Sequence, residues 1–123
     1  MPVLIAQDPA AAPADETSSW YGVRCVFQHG PVDAHATWFE ERITVWRAAS
    51  SAQAVTLATA EAAGYAAGLD DVVALDLVQA YALPEPPGHG AEVFSLIRES
   101  GLPVAGYLER FFDTGRERQT VVE

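Results

Sequence analysis

The sequence of 123 residues has a single cysteine, Cys25, and no lysine. One cysteine excludes an internal disulfide framework and suits a reducing cytoplasm. The seven basic residues, all arginine, face seventeen acidic ones, and the net charge is -10. That balance argues against a nucleic-acid backbone as partner, because binding one draws on clustered positive charge. It fits a soluble chain, or attraction to a basic partner protein. No apolar run approaches the ~20 residues that would cross a bilayer, so no membrane partner is expected. The opening MPVLIAQDPAA lacks the basic start and the long apolar stretch of a signal peptide. A cytoplasmic protein is therefore expected. Arginine without lysine, together with abundant alanine, points to a GC-rich bacterial genome.

What is present is organised around residues 38 to 69. From Trp38 to Ala48 polar and apolar residues alternate, as on a strand whose side chains point to opposite faces in turn. The odd set, with Phe39, Ile43 and Val45 among it, is expected to face the core. Ser50-Ser51-Ala52-Gln53 has the form of a capping box. Ala54, Val55, Ala58, Ala62, Tyr65 and Leu69 follow at helical spacing, and Gly68 suits a left-handed helix end.

Residues 1–18 are rich in Ala, Pro, Asp and Ser and are expected to be a disordered arm, with Val3 to Ile5 docking at most transiently. A first strand runs from Trp20 to Gln28, with Tyr21, Val23, Cys25 and Phe27 inward. It should pair with the second so that Arg24 opposes Glu40, Cys25 opposes Phe39 and Tyr21 opposes Ile43. Residues 70–83 suit either a strand or a helix capped by Asp70. A strand is expected, with Val73, Leu75, Leu77, Tyr81 and Leu83 inward, since a long helix has just ended and sheets need partners. PEPPGHG is loop, and Ala91 to Arg98 is expected as a fourth strand. After Pro103 a second helix should bury Val104, Tyr107, Leu108 and Phe111 until Gly115 stops it. The expected fold is α+β: an antiparallel four-stranded sheet with two helices in ββαββα order. It fills a single domain over 19–115, followed by a frayed tail over 116–123.

The run WYGVRCVF, a loop, FEERITVWRA and a helix opening SSAQA resembles a bacterial family known as a domain of unknown function (family number 4288). The likeness spans roughly residues 19–65 and rests mainly on Trp20-Tyr21 and Glu40-Glu41-Arg42. It implies a small α+β domain and brings no catalytic residue with it.

Parity suggests where function lies. Trp20, Arg24, Trp38, Glu40, Arg42 and Trp46 are all even-numbered and are expected on the sheet face away from the helices, joined there by Asp76. Indoles beside arginines are typical of protein interfaces. The expected partner is a second copy or a basic protein. The alternative is a small-ligand binder or enzyme, with Arg24 and Arg42 as anion clamps and Glu40 as base. Glu40 and Glu41 point to opposite faces, so they form no carboxylate pair. His29, Asp33 and His35 share a loop without a diagnostic metal spacing, and His89 lies in another. Cys25 has no base within local reach and is expected as a buried hydrophobe. Gly88-His89-Gly90 lacks the strand-to-helix setting of a phosphate loop and is expected as a turn. No metal, cofactor or catalytic residue is expected.

Overall fold

The structure, a computed structural model, describes residues 3–7, 18–30 and 37–119. Strands β2 (Ser19–His29), β3 (Trp38–Ala48) and β4 (Val72–Ala82) form an antiparallel sheet with β2 at its centre. Helix α1 (Ser51–Ala67) joins β3 to β4. A short helix α2 (Val104–Tyr107) continues into a π-helical turn over Leu108–Phe112. Over these elements the order is ββαβα, an α+β fold. Strand β1 (Val3–Gln7) lies along the outer edge of β4, parallel to it, and gives the sheet order β1-β4-β2-β3.

Two expectations about the strands are corrected. Residues 91–98 form no strand. The fourth strand comes instead from Val3–Gln7, inside the arm expected to be disordered, while residues 8–17 of that arm lie outside the described set. An open edge of β4 offers a row of unpaired amides and carbonyls, and a short β-prone run such as VLI can satisfy them.

The core is thin and built from alanine. Ala54, Ala58, Ala62 and Ala66 recur every four residues along α1 and are buried against Tyr21, Val23, Cys25 and Phe27 of β2. Side chains this small let the helix axis approach the sheet closely, so dispersion contacts are dense although no large aliphatic residue lines the helix. Cap chemistry sets where α1 begins. Ser50 Oγ accepts from the Gln53 amide at 3.1 Å, and Gln53 Oε1 accepts from the Ala49 amide at 2.6 Å. At the other end Gly68 keeps a right-handed conformation, φ −82°, contrary to the expected left-handed stop. The left-handed residue of this connection is Asp71, φ 56°, one place before β4.

Register decides which side chains meet the helix. Tyr21 pairs with Trp46, Val23 with Thr44, Cys25 with Arg42 and Phe27 with Glu40. Directly opposed residues share a face, so the even residues of β3 stand on the α1 side. The expected pairing of Arg24 with Glu40 is thus wrong; Arg24 opposes Ile43. On β4 the even residues Val78, Ala80 and Ala82 oppose the buried odd residues of β2. The expected inward set of Val73, Leu75, Leu77, Tyr81 and Leu83 is corrected too. Alanines on β4 fit beneath an alanine-lined helix, whereas leucines would hold it away. Between Cys25 and Phe27 the register slips, and Leu75–Leu77 stand against Val26 alone. No helix among the described residues is long and apolar enough to cross a membrane.

Candidate interaction face

The six residues singled out by parity do not share one face. Trp20 and Arg24, even-numbered on β2, point away from α1. Trp38, Glu40, Arg42 and Trp46 stand on the α1 side of β3 and surround the helix flank. Because β3 is the edge strand and α1 sits chiefly over β4, long polar side chains can reach up beside the helix while their stems cover its base.

On that flank the polar residues are tied to the fold. Arg42 donates two hydrogen bonds to Glu61 of α1, at 2.7 and 2.9 Å. Its guanidinium also lies 3.9 Å from the centroid of the Tyr65 ring. The hydrogen bond from Arg42 lowers the Glu61 carboxyl below its usual range, and the same bond raises Arg42 further. Tyr65 Oη donates to Glu40 Oε2 at 2.8 Å, which raises the phenol, and His29 Nε2 meets Glu40 Oε1 at 2.8 Å. Glu40 is thus held by two partners, and Tyr65 stacks edge-on against buried Phe27 at 5.1 Å. Trp46 packs on the core and donates to Thr44 Oγ1 at 2.6 Å. Trp38 is half exposed, with Arg118 4.4 Å above its ring. The Trp38 contact places at least part of the 116–123 tail against the domain; residues 120–123 lie outside the described set.

Beneath this flank Cys25 is buried, and burial, then the Glu61 charge, raises its thiol pKa against the opposing effect of Arg42. A protonated, enclosed thiol is a packing group and not a nucleophile. Asp33 and His35 lie outside the described residues, and among those described no group of three or more histidine, cysteine or carboxylate side chains is placed to hold a metal. The segment around Gly88-His89-Gly90 is a turn in which the Ala91 amide donates to the Gly88 carbonyl at 3.0 Å.

The opposite face of the sheet is different in kind. Phe39, Ile43 and Val45 of β3 and Val73 and Leu77 of β4 flank Val26 of β2, and all but Val26 are exposed. Phe39 is 61 % and Val73 59 % open to solvent. Sequence reading assigned the β3 residues to the core and missed this patch. Charge on the face is sparse: Arg24 meets Glu41 at 3.4 Å. A depression of about 170 Å³ opens beside that pair, lined by Val26, Leu77 and Gln79. Gln79 Oε1 is buried there without a hydrogen-bond partner among the described residues.

Among the described residues, one end of this face is covered. The ring of Tyr81 lies over Gly22, and Phe94 packs edge-on against Tyr81 at 5.5 Å. Tyr81 Oη donates to the Val93 carbonyl at 3.1 Å, and Arg24 sits 5.3 Å from the Phe94 centroid. Residues 91–98 therefore cross the face through Phe94 instead of pairing at an edge. A cavity of about 300 Å³ lies at this crossing, lined by Tyr81, Leu83, Glu92 and Leu96 among others. Beyond it the α2 stripe is not buried as expected: Val104, Leu108 and Phe111 are exposed, and Phe112 more so than Phe111. The phase of the helix is as expected, but among the described residues no strand packs substantially against it to cover the stripe.

No family model matches the chain, and neither does any curated protein or solved structure. Function is therefore argued from geometry.

Proposed function

We propose that this protein is a non-enzymatic interaction module whose partner surface is the sheet face away from α1, and that it self-associates through that face. The supporting observation is the set Phe39, Ile43 and Val45 on β3 and Val73 and Leu77 on β4, which stand in solvent on the two strands that flank β2, with Val26 and the Arg24–Glu41 pair between them. Scattered surface hydrophobes are ordinary, but an apolar patch on a folded sheet is characteristic of a binding surface. Neighbours on the patch are few in charge, so a partner there removes little hydration from ionised groups. A symmetric pair is the simplest occupant, because one self-complementary face covers both subunits.

An enzymatic role has weaker support. Glu40, the candidate base, is already engaged by Tyr65 and His29, and Arg24 and Arg42 point to opposite faces. Two arginines so placed cannot clamp one anion. A basic protein partner fits the net charge of -10 but has no cluster of carboxylates on the bare face to receive it.

Sedimentation at micromolar concentration tests self-association directly. The expected result is a dimer that dissociates on dilution, with backbone amides of residues 39–45 exchanging more slowly as concentration rises. A monomer at every concentration, with unchanged exchange over 39–45, would remove this reading.

A further inference from the structure

Two apolar surfaces of this chain lie bare at once. One is the sheet face just described. The other belongs to the C-terminal arm, residues 97–112, where Ile97 is 93 %, Val104 77 % and Phe112 75 % exposed. The arm starts on the same side as the bare face, from the Phe94–Tyr81 contact, and the chain meets its own domain again at Arg118, beside Trp38. Gly101 and Pro103 separate that anchor from α2. Among the described residues α2 and the following turn pack chiefly on each other.

From this we infer that two copies exchange arms: the helix over 104–112 of each covers the Phe39–Ile43–Leu77 surface of the other. The inference rests on the self-association reading and names its occupant. Each copy holds both halves of the contact, so a twofold arrangement satisfies both surfaces twice with no third component. Exposed apolar residues on both surfaces, Phe39 and Val73 on the sheet and Val104 and Phe112 on the arm, supply what such a contact would bury. Charge is compatible as well. Residues 97–112 carry two arginines, Arg98 and Arg110, and two carboxylates, Glu99 and Glu109, so the arm is neutral while the rest of the chain is strongly acidic. A neutral arm on a sparsely charged face avoids the repulsion that two acidic bodies would otherwise meet. Arg98 and Arg110 lie near Phe111 on the arm, 4.6 and 5.9 Å from its ring centroid.

The test uses the full chain and two variants, Ile43→Lys on the sheet and Phe112→Asp on the arm, each followed by sedimentation and by circular dichroism for folding. Both positions are exposed, and Phe39→Lys replaces the sheet variant if that one fails to fold. Arm exchange predicts that each variant alone dissociates at least about tenfold more readily than the unaltered chain. It also predicts that an equimolar mixture of the two recovers dimer, since each mixed pair contains one unaltered arm-on-sheet contact and one Asp-on-Lys contact. A dimer unaffected by Phe112→Asp but lost with Ile43→Lys would overturn arm exchange and leave self-association through the sheet intact. Two variant monomers whose mixture stays monomeric would overturn it too. An unaltered chain that is itself monomeric would remove the self-association reading and this inference together.

Discussion

The ring of Tyr81 lies directly over Gly22, with ring carbons 2.6 and 2.7 Å and the phenol oxygen 2.9 Å from where a Cβ on Gly22 would stand. Only a residue without a side chain lets Tyr81 lie flat across β2, reach the Val93 carbonyl and support Phe94. This contact ties the 91–98 crossing to the sheet and so sets where the C-terminal arm departs.

Gly22→Ala should therefore lower stability by about 1–3 kcal/mol, the usual cost of overpacking a well-filled site. Because the methyl displaces the Tyr81 ring, adding Tyr81→Leu should recover part of the loss. Urea denaturation of the two single variants and the double variant measures the coupling.

Ala58 sits at the centre of α1 and is fully buried against the sheet. Ala58→Leu should cost about 1–3 kcal/mol, because the added carbons meet close-packed neighbours. Leucine at Thr56, on the exposed side of the same helix, should change stability by less than about 0.5 kcal/mol. Thermal denaturation of both distinguishes them.

The Arg42–Glu61 pair gives a pH signature. Glu61 has a lowered pKa in the folded chain, chiefly through its hydrogen bonds with Arg42. Its contribution is therefore present above the ordinary carboxylate pKa and is lost as pH falls through the lowered value. Partial exposure limits that contribution to at most about 1 kcal/mol. Glu61→Gln should lower stability near neutrality and leave it closer to the unaltered chain in acid. Denaturation midpoints across that range check the sign; a constant gap at every pH would show that the charge of Glu61 contributes nothing.

Phe111 reports on the arm. Among the described residues the main element contact of its turn is α2 itself, so Phe111→Ala should alter monomer stability by less than about 1 kcal/mol. A fully buried phenylalanine such as Phe27 should instead lose about 3–5 kcal/mol on the same change. Denaturation at high dilution, where association is absent, makes the comparison.

Local chemistry legible in the chain accounts for much of the secondary structure. Alternation defines β2 and β3, the Ser50–Gln53 pattern starts α1, and the alanine spacing marks the buried side of that helix. For residues 72–82 the competition between helix and strand resolves to strand. The polar flank left a weaker trace: Glu61 and Tyr65 stand four apart on α1, beside the buried alanine stripe, as a pair reaching for a neighbouring strand would.

Faces and partners were another matter. On β3 both parities are amphipathic, with Phe39, Ile43 and Val45 on one side and Trp38, Thr44 and Trp46 on the other, so periodicity shows two faces without ranking them. What ranked them was the width of α1. An alanine-lined helix fits over Tyr21, Val23, Cys25 and Phe27 and over the alanines of β4, and that choice carries Glu40, Arg42 and Trp46 to the helix flank through register. The fourth strand was equally hidden, because Val3–Gln7 gains its hydrogen bonds only from an edge of β4 that lies some seventy residues away. The sequence by itself thus determined the elements, their caps and the alanine stripe, which depend on neighbours a few residues apart. Which side of the sheet stands bare was decided only in the tertiary structure, by the fit between one thin helix and the smallest side chains beneath it.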